Sequence, residues 1–197
     1  MQNLITLPEE KGLETEKYEQ SGMIAGKLIQ GFYDTINALL PTTELFEVGC
    51  GEGFSAQYLK GNWTGIDIDA DMVIAAKERN PDKNVYWGDV YTLEPVPKGT
   101  TVLCLEVLEH LERPDEALRE LARITDEYAV ISVPNEPLWH ILNLARGKYL
   151  KDWGNGPGHI NHWAPKSFRS LCEKYFDVVE MKLPVPWIIC LLKKREE

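Results

Sequence analysis

The chain has 197 residues, of which 44% are hydrophobic and 26% charged, which is the make-up of one soluble globular domain with a full core. Its 31 acidic residues against 21 basic ones give a net charge of −10, which disfavours nonspecific attraction to nucleic acid or to an anionic membrane. Cys50, Cys104, Cys172 and Cys190 lie far apart with no Cys-x-x-Cys pair, so they read as reduced thiols of a cytosolic protein.

The opening residues 1–12 are polar, and Met1 to Leu7 lack the basic start and apolar run of a secretory signal. The apolar run Trp187 to Leu192 is far shorter than the ~20 residues that span a bilayer. The expectation is a soluble, cytoplasmic protein. From Leu13 to Leu40 the pattern is helical, with interruptions near Gly22, Gly26 and Gly31 and a stop at Pro41. Tyr18, Met23, Leu28, Ile29, Phe32 and Ile36 make a broken apolar stripe, as expected of a helix pair lying over a sheet edge.

Leu45-Phe46-Glu47-Val48 reads as a buried strand, followed by a turn with glycine at positions 49, 51 and 53 and by a helix over 54–60. Glycines admit positive φ and let a ligand approach the backbone, and a helix start presents free N–H groups to it. Strands are then expected at 62–67, 84–87, 101–106 and 128–133, with helices at 70–79 and 114–124. That alternation predicts an α/β fold with a doubly wound parallel sheet. Glu47, Asp67, Asp89 and Glu106 then sit at four strand ends on one rim, where ligands of such sheets bind. Gly51-x-Gly53-x-x-Ala56 loosely matches a dinucleotide fingerprint. Glu47 and Glu52 would repel a pyrophosphate and favour a ligand with an adenosine and a positive centre.

Residues 134–164 break the alternation with prolines, glycines and aromatics, among them Trp139, Tyr149, Trp153 and Trp163. They read as a substrate cover or as an insertion packed on the sheet, with a short helix at 137–146. A helix at 165–175 and strands at 177–183 and 187–193 complete the chain.

Four blocks, Glu47-x-Gly49-x-Gly51-x-Gly53, Gly65-Ile66-Asp67, Gly88-Asp89-Val90 and Leu105-Glu106-Val107-Leu108-Glu109-His110, resemble in order the class I S-adenosylmethionine (SAM)-dependent methyltransferases. The resemblance implies a single Rossmann-like domain with a seven-stranded sheet whose last strand is antiparallel. Its parts would be an N-terminal helical lid (1–41), a SAM-binding core (42–133), the cover (134–164) and a closing helix and strand pair (165–197). It also implies that Glu47 and the backbone of Gly49, Gly51 and Gly53 hold the methionine end, with Cys50 between them as a small side chain that fits. Asp67 would take the ribose hydroxyls, Ile68 would pack on the adenine, and Asp89 would accept from the adenine amino group with Val90 beside it. Leu105 and Glu106 would line the path to the methyl, and Tyr18 or Tyr33 of the lid could touch the cofactor. Thr125-Asp126-Glu127-Tyr128 replaces the Gly-Gly turn usual in the family, on the edge opposite the cofactor.

Glu106, Glu109 and His110 stand at i, i+3 and i+4, a spacing that gathers two carboxylates and an imidazole on one face. With His159-x-x-His162 they also resemble in part the metal-dependent small-RNA 2′-O-methyltransferases. In the small-molecule enzymes of the class the same residues would serve without a metal: His110 as general base, Glu109 to orient it, and His159 and His162 as further bases. His140 reads as a surface or packing residue. The reading adopted is a methyltransferase for a small-molecule acceptor, monomeric or homodimeric, with no resident metal and no nucleic-acid partner. Metal-assisted methylation of RNA 2′-hydroxyls, a non-catalytic SAM-binding module and an NAD-dependent dehydrogenase are the competing readings.

Overall fold

The computed structural model describes residues 23–136 and 159–195. Tyr18, Gly22, the expected helix at 137–146, His140, Trp139, Tyr149 and Trp153 lie outside the described residues. In chain order the elements are α1 (Met23–Leu39), β1 (Glu44–Val48), a 3₁₀ turn (Ser55–Gln57), β2 (Asn62–Asp67), α2 (Ala70–Arg79), β3 (Asn84–Trp87) and β4 (Thr100–Leu105). A second 3₁₀ turn (Leu108–His110), α3 (Pro114–Ile124), β5 (Tyr128–Pro134), α4 (Pro165–Cys172), β6 (Phe176–Lys182) and β7 (Trp187–Lys194) follow.

The strands form one seven-stranded sheet in the order β3-β2-β1-β4-β5-β7-β6. β7 runs antiparallel to both neighbours, while the other pairings are parallel, as the family resemblance implied. The order reverses direction between β1 and β4, so a crevice opens at the carboxyl ends of those two strands.

Helices cover both faces, which is why β4 is buried along its whole length and reads Thr-Thr-Val-Leu-Cys-Leu rather than alternating. On one face Leu118, Leu121 and Ile124 of α3 pack with Phe168 of α4 and Ile131 of β5. On the other, Phe32 and Ile36 of α1 pack with Val73 and Ala76 of α2 and with Leu103. Each fully buried Leu or Ile contributes about 2 kcal/mol, so both faces weigh in folding. Among the described residues, no helix is long and apolar enough to cross a membrane.

Local chemistry sets several element ends. Asp69 caps α2 by accepting from the backbone N–H of Asp71 at 2.9 Å, and Lys77 and Arg79 occupy its last turn. Pro114 and Pro165 stand at the first positions of α3 and α4, where a missing N–H costs nothing.

Four sequence expectations need correction. The helix over 54–60 is only the 3₁₀ turn Ser55–Gln57, because Gly61 packs on Thr43 and Leu45 and the chain must enter β2 at Asn62. The described part of the N-terminal region is one helix that runs unbroken through Gly26 and Gly31, since burial of Phe32, Ile36 and Leu39 outweighs the glycine penalty. α4 ends at Cys172 rather than 175, as residues 173–175 make the turn into β6. β4 ends at Leu105, so Glu106 lies beyond the strand.

Candidate active site

The glycine loop leaves β1 and folds over the end of β2, where the backbone N–H groups of Gly49 and Cys50 both donate to the Ile66 carbonyl at 2.9 Å. Gly49 has φ +75°, and a Cβ there would meet Val107 at 2.5 Å, so this position is required for packing. Gly51 has φ +52° with nothing within 4 Å of an added Cβ, which makes it the open wall of the loop. Gly53 lies against Asn80 and Ala76.

The loop's acids are not arranged alike. Glu47 is 3% exposed and points into the protein, accepting from the Ser55 hydroxyl and from the Trp63 indole N–H. Burial pushes its carboxyl up to about 7, against the opposing effect of those two hydrogen bonds. Glu52 is also buried and pairs with Arg79 at 3.0 Å. The sequence argument that both would face and repel a phosphate is therefore corrected: one is sunk in the core and the other neutralised. Cys50 is buried, and desolvation, with Glu47 and Asp67 nearby, drives its thiol far above the usual range. It is a space-filling residue and an inert thiol.

Asp67 ends β2 half-buried. Its two oxygens accept from the backbone N–H of Gly51 at 2.8 Å and of Asp69 at 2.9 Å. One carboxylate therefore ties the glycine loop to the start of α2. Ile68 next to it is 59% exposed, and the Trp87 indole donates to its carbonyl at 2.8 Å, forming an apolar shelf at the rim. Asp89 accepts from the backbone N–H of Tyr91 at 2.9 Å and so shapes the turn after β3. Val90 packs on the core beneath it. Tyr33 is buried and stacks on Tyr58, 4.6 Å between ring centres, which gives it a packing role.

Across the crevice, Leu105 is buried at the end of β4 and Glu106 takes φ +58°, a left-handed conformation that costs about 1 kcal/mol for a non-glycine residue. Ser132 of β5 accounts for it: its hydroxyl donates to the Glu106 carboxylate at 2.8 Å, and the Glu106 N–H donates back to the Ser132 backbone. The next turn carries Glu109, 1% exposed, and His110, exposed.

The segment 159–163 docks onto that turn. Ile160 and Asn161 donate their backbone N–H groups to the Glu109 carbonyl at 2.9 and 3.1 Å, and the Asn161 amide donates to the carbonyls of Leu108 and Leu111. Ligand atoms of Glu109, His110 and His159 consequently lie within 4.8 Å of one another, and the His110 and His159 rings meet edge to face at 5.0 Å. Glu106, expected to share one face with Glu109 and His110, is instead turned toward Ser132; His159 is the third member of the group. The positive φ of Glu106 breaks the helical spacing on which that expectation rested.

Glu136, which sequence reasoning passed over, lies just past β5 with its carboxylate between two imidazoles: Nδ1 of His159 at 3.0 Å and Nδ1 of His162 at 3.3 Å. Burial works to raise its carboxyl, but the hydrogen bonds and charges of the two histidines prevail and hold it below the usual carboxylate range. The strand-end rule that picked Glu47, Asp67, Asp89 and Glu106 would have found Glu136 had it been extended to the fifth strand. Ser132, Arg79 and Trp87 carried no such signal, because each acts through a partner distant in the chain.

The strand order reverses beside an open glycine and a strand-end aspartate, the place where ligands of Rossmann-like sheets bind. Comparison with known proteins narrows the class. Residues 46–131 match the family described as "Methyltransferase domain". A ubiquinone biosynthesis O-methyltransferase of Rickettsia bellii is 33% identical over 135 residues, covering 64% of this chain and 55% of its own. The mitochondrial ubiquinone biosynthesis O-methyltransferase of Saccharomyces cerevisiae is 29% identical over 138 residues, covering 62% and 44%. The chain thus spans about half the length of the curated relatives it matches. In fold it is similar to a SAM-dependent methyltransferase from Thermotoga maritima (TM-score 0.70, 17% identity, 92% of this chain and 96% of that one). It is likewise similar to the magnesium protoporphyrin IX methyltransferase of Synechocystis with bound SAH (TM-score 0.66, 19% identity, 89% of each chain).

Proposed function

We propose that the protein is a SAM-dependent methyltransferase acting on a small molecule. The observation that carries this reading is the juxtaposition across one crevice of an open glycine wall tied to Asp67 and a group of titratable side chains past β4. The residues present fit the cofactor. Gly51 leaves room where a Cβ would stand, Asp67 keeps a half-buried carboxylate for hydroxyl donors, and Ile68 with Trp87 offers an apolar shelf for a base.

Bound SAM supplies a methyl group already activated by its sulfonium, open to in-line displacement. The chain supplies placement and proton removal. Glu47 anchors the loop through Ser55 and Trp63, while Gly49, Cys50, Gly51 and Gly53 shape the wall for the methionine end. Asp67 takes the ribose hydroxyls, and Asp89 with Val90 borders the base. Leu105 and Glu106 line the approach to the acceptor. His110 and His159 are the bases within reach of an acceptor hydroxyl, with Glu109 beside them. Residues 159–164 form the inner margin of the cover over the acceptor. Four buried free thiols fit a reducing cytoplasm.

Calorimetric titration with S-adenosylhomocysteine tests the reading, with NAD as the control ligand. Saturable binding of the first and none of the second is expected, and the absence of S-adenosylhomocysteine binding refutes it.

A second reading is favoured by one observation: Glu109, His110 and His159 offer an oxygen-and-nitrogen donor set compact enough for a divalent cation. Titration with magnesium, manganese or zinc, before and after EDTA, separates the two. A stoichiometric metal signal lost in Glu109→Ala selects the metal reading, and the absence of any stoichiometric metal signal selects the first.

A further inference from the structure

Glu136 is a buried carboxylate outside the glycine loop and outside the Glu109–His110 turn, yet it touches the site through two imidazoles. Its own place is fixed from the backbone. The N–H of Glu136 donates to the Trp163 carbonyl at 3.3 Å, the neighbouring Asn135 forms a strand-like bridge with Trp163, and the Asn135 N–H donates to the Pro186 carbonyl at 2.8 Å. The carboxylate therefore issues from a rigid extension of β5, and the histidines reach it from the segment docked on Glu109.

His159 is 9% exposed in its side chain, whereas His162 is 40% exposed. The two contacts thus differ in what they constrain. For His162 the contact leaves a substantial part of the side chain in solvent. For His159 it occupies one nitrogen of a ring already enclosed against His110.

We propose that Glu136 is a positioning residue of the active site: it accepts the Nδ1–H of His159, fixes that ring's tautomer and rotation, and presents Nε2 to the group formed by Glu109 and His110. The proposal rests on the reading of His159 as a site residue and deepens it. A histidine that must take up a proton needs one nitrogen bare and aimed, and a carboxylate on the other nitrogen is the usual means of securing both. The same orientation serves if His159 ligates a cation. His162, on the same oxygen of Glu136, keeps that carboxylate from turning away.

The test is the long-range proton–nitrogen spectrum of the imidazoles at pH 8, read on the free protein so that neither cofactor nor acceptor is needed. The chain has four histidines, so His159→Gln and His162→Gln assign the signals. In the wild type His159 is expected with Nδ1 protonated and Nε2 bare. Glu136→Ala is expected to move it to the Nε2–H form that free histidine side chains favour. Glu136→Gln, whose amide oxygen still accepts, is expected to retain the wild-type pattern. S-adenosylhomocysteine affinity, measured on the same samples, should stay within about threefold in both variants. A wild-type His159 already protonated at Nε2 overturns the proposal even if Glu136→Ala does not fold, and so does an unchanged pattern in a folded Glu136→Ala. Loss of S-adenosylhomocysteine binding in the wild type instead would overturn the methyltransferase reading and leave the tautomer result standing on its own.

Discussion

Glu47 makes the stability of this protein depend on pH in a way that one substitution isolates. Its carboxyl is raised from 4.5 to about 7 in the folded state, first by burial and against the hydrogen bonds from Ser55 and Trp63. A raised carboxyl favours the folded state fully only below the unfolded value of 4.5, and the contribution is lost as pH climbs through the folded value of about 7. The interval corresponds to about 3 kcal/mol at roughly 1.4 kcal/mol per pH unit. Between pH 5 and pH 8 the wild type should therefore lose about 2 kcal/mol relative to Glu47→Gln, most of it below pH 7. The glutamine is the appropriate comparison, since its oxygen can still accept from Ser55 and Trp63 and every other titrating group is shared. Urea unfolding of both proteins at half-unit steps from pH 5 to pH 8 measures the difference. Parallel stability curves for the two proteins would refute the argument that Glu47 is desolvated in the fold.

Other predictions separate the cofactor wall from the scaffold. Gly51→Ala should cost the fold only about 1 kcal/mol, for the Cβ at positive φ, while S-adenosylhomocysteine affinity drops by more than tenfold in calorimetry. Gly49→Ala should instead lower the melting temperature by several degrees, because its Cβ meets Val107 at 2.5 Å. Asp67→Ala should weaken S-adenosylhomocysteine by roughly thirtyfold, about 2 kcal/mol for charge-assisted hydrogen bonds, with the fold retained by circular dichroism. Arg79→Ala leaves Glu52 buried without its guanidinium and should cost roughly 2 kcal/mol in urea unfolding; the Glu52→Gln/Arg79→Met double variant should recover most of it.

Much of the architecture was written locally. Alternating strand and helix patterns, glycines at 49, 51 and 53, and acids at the ends of β1, β2 and β3 are features of neighbouring residues, so they could be read without coordinates. The antiparallel last strand came only with the family resemblance. Tertiary structure decided what those residues face. Glu47 and Glu52 look alike in the sequence, yet one is held by Ser55 and Trp63 and the other by Arg79, partners supplied by other elements. Glu106 is separated from Glu109 and His110 by a backbone twist that Ser132 on the next strand stabilises. His159 joins Glu109 and His110 across some fifty residues because Asn161 caps the carbonyls of their turn, and Glu136 meets it only through the extension of β5. Hydrophobic periodicity and turn chemistry act over a few residues and so are legible in one chain. The pairing of buried charges is settled by which surfaces the packed sheet brings together.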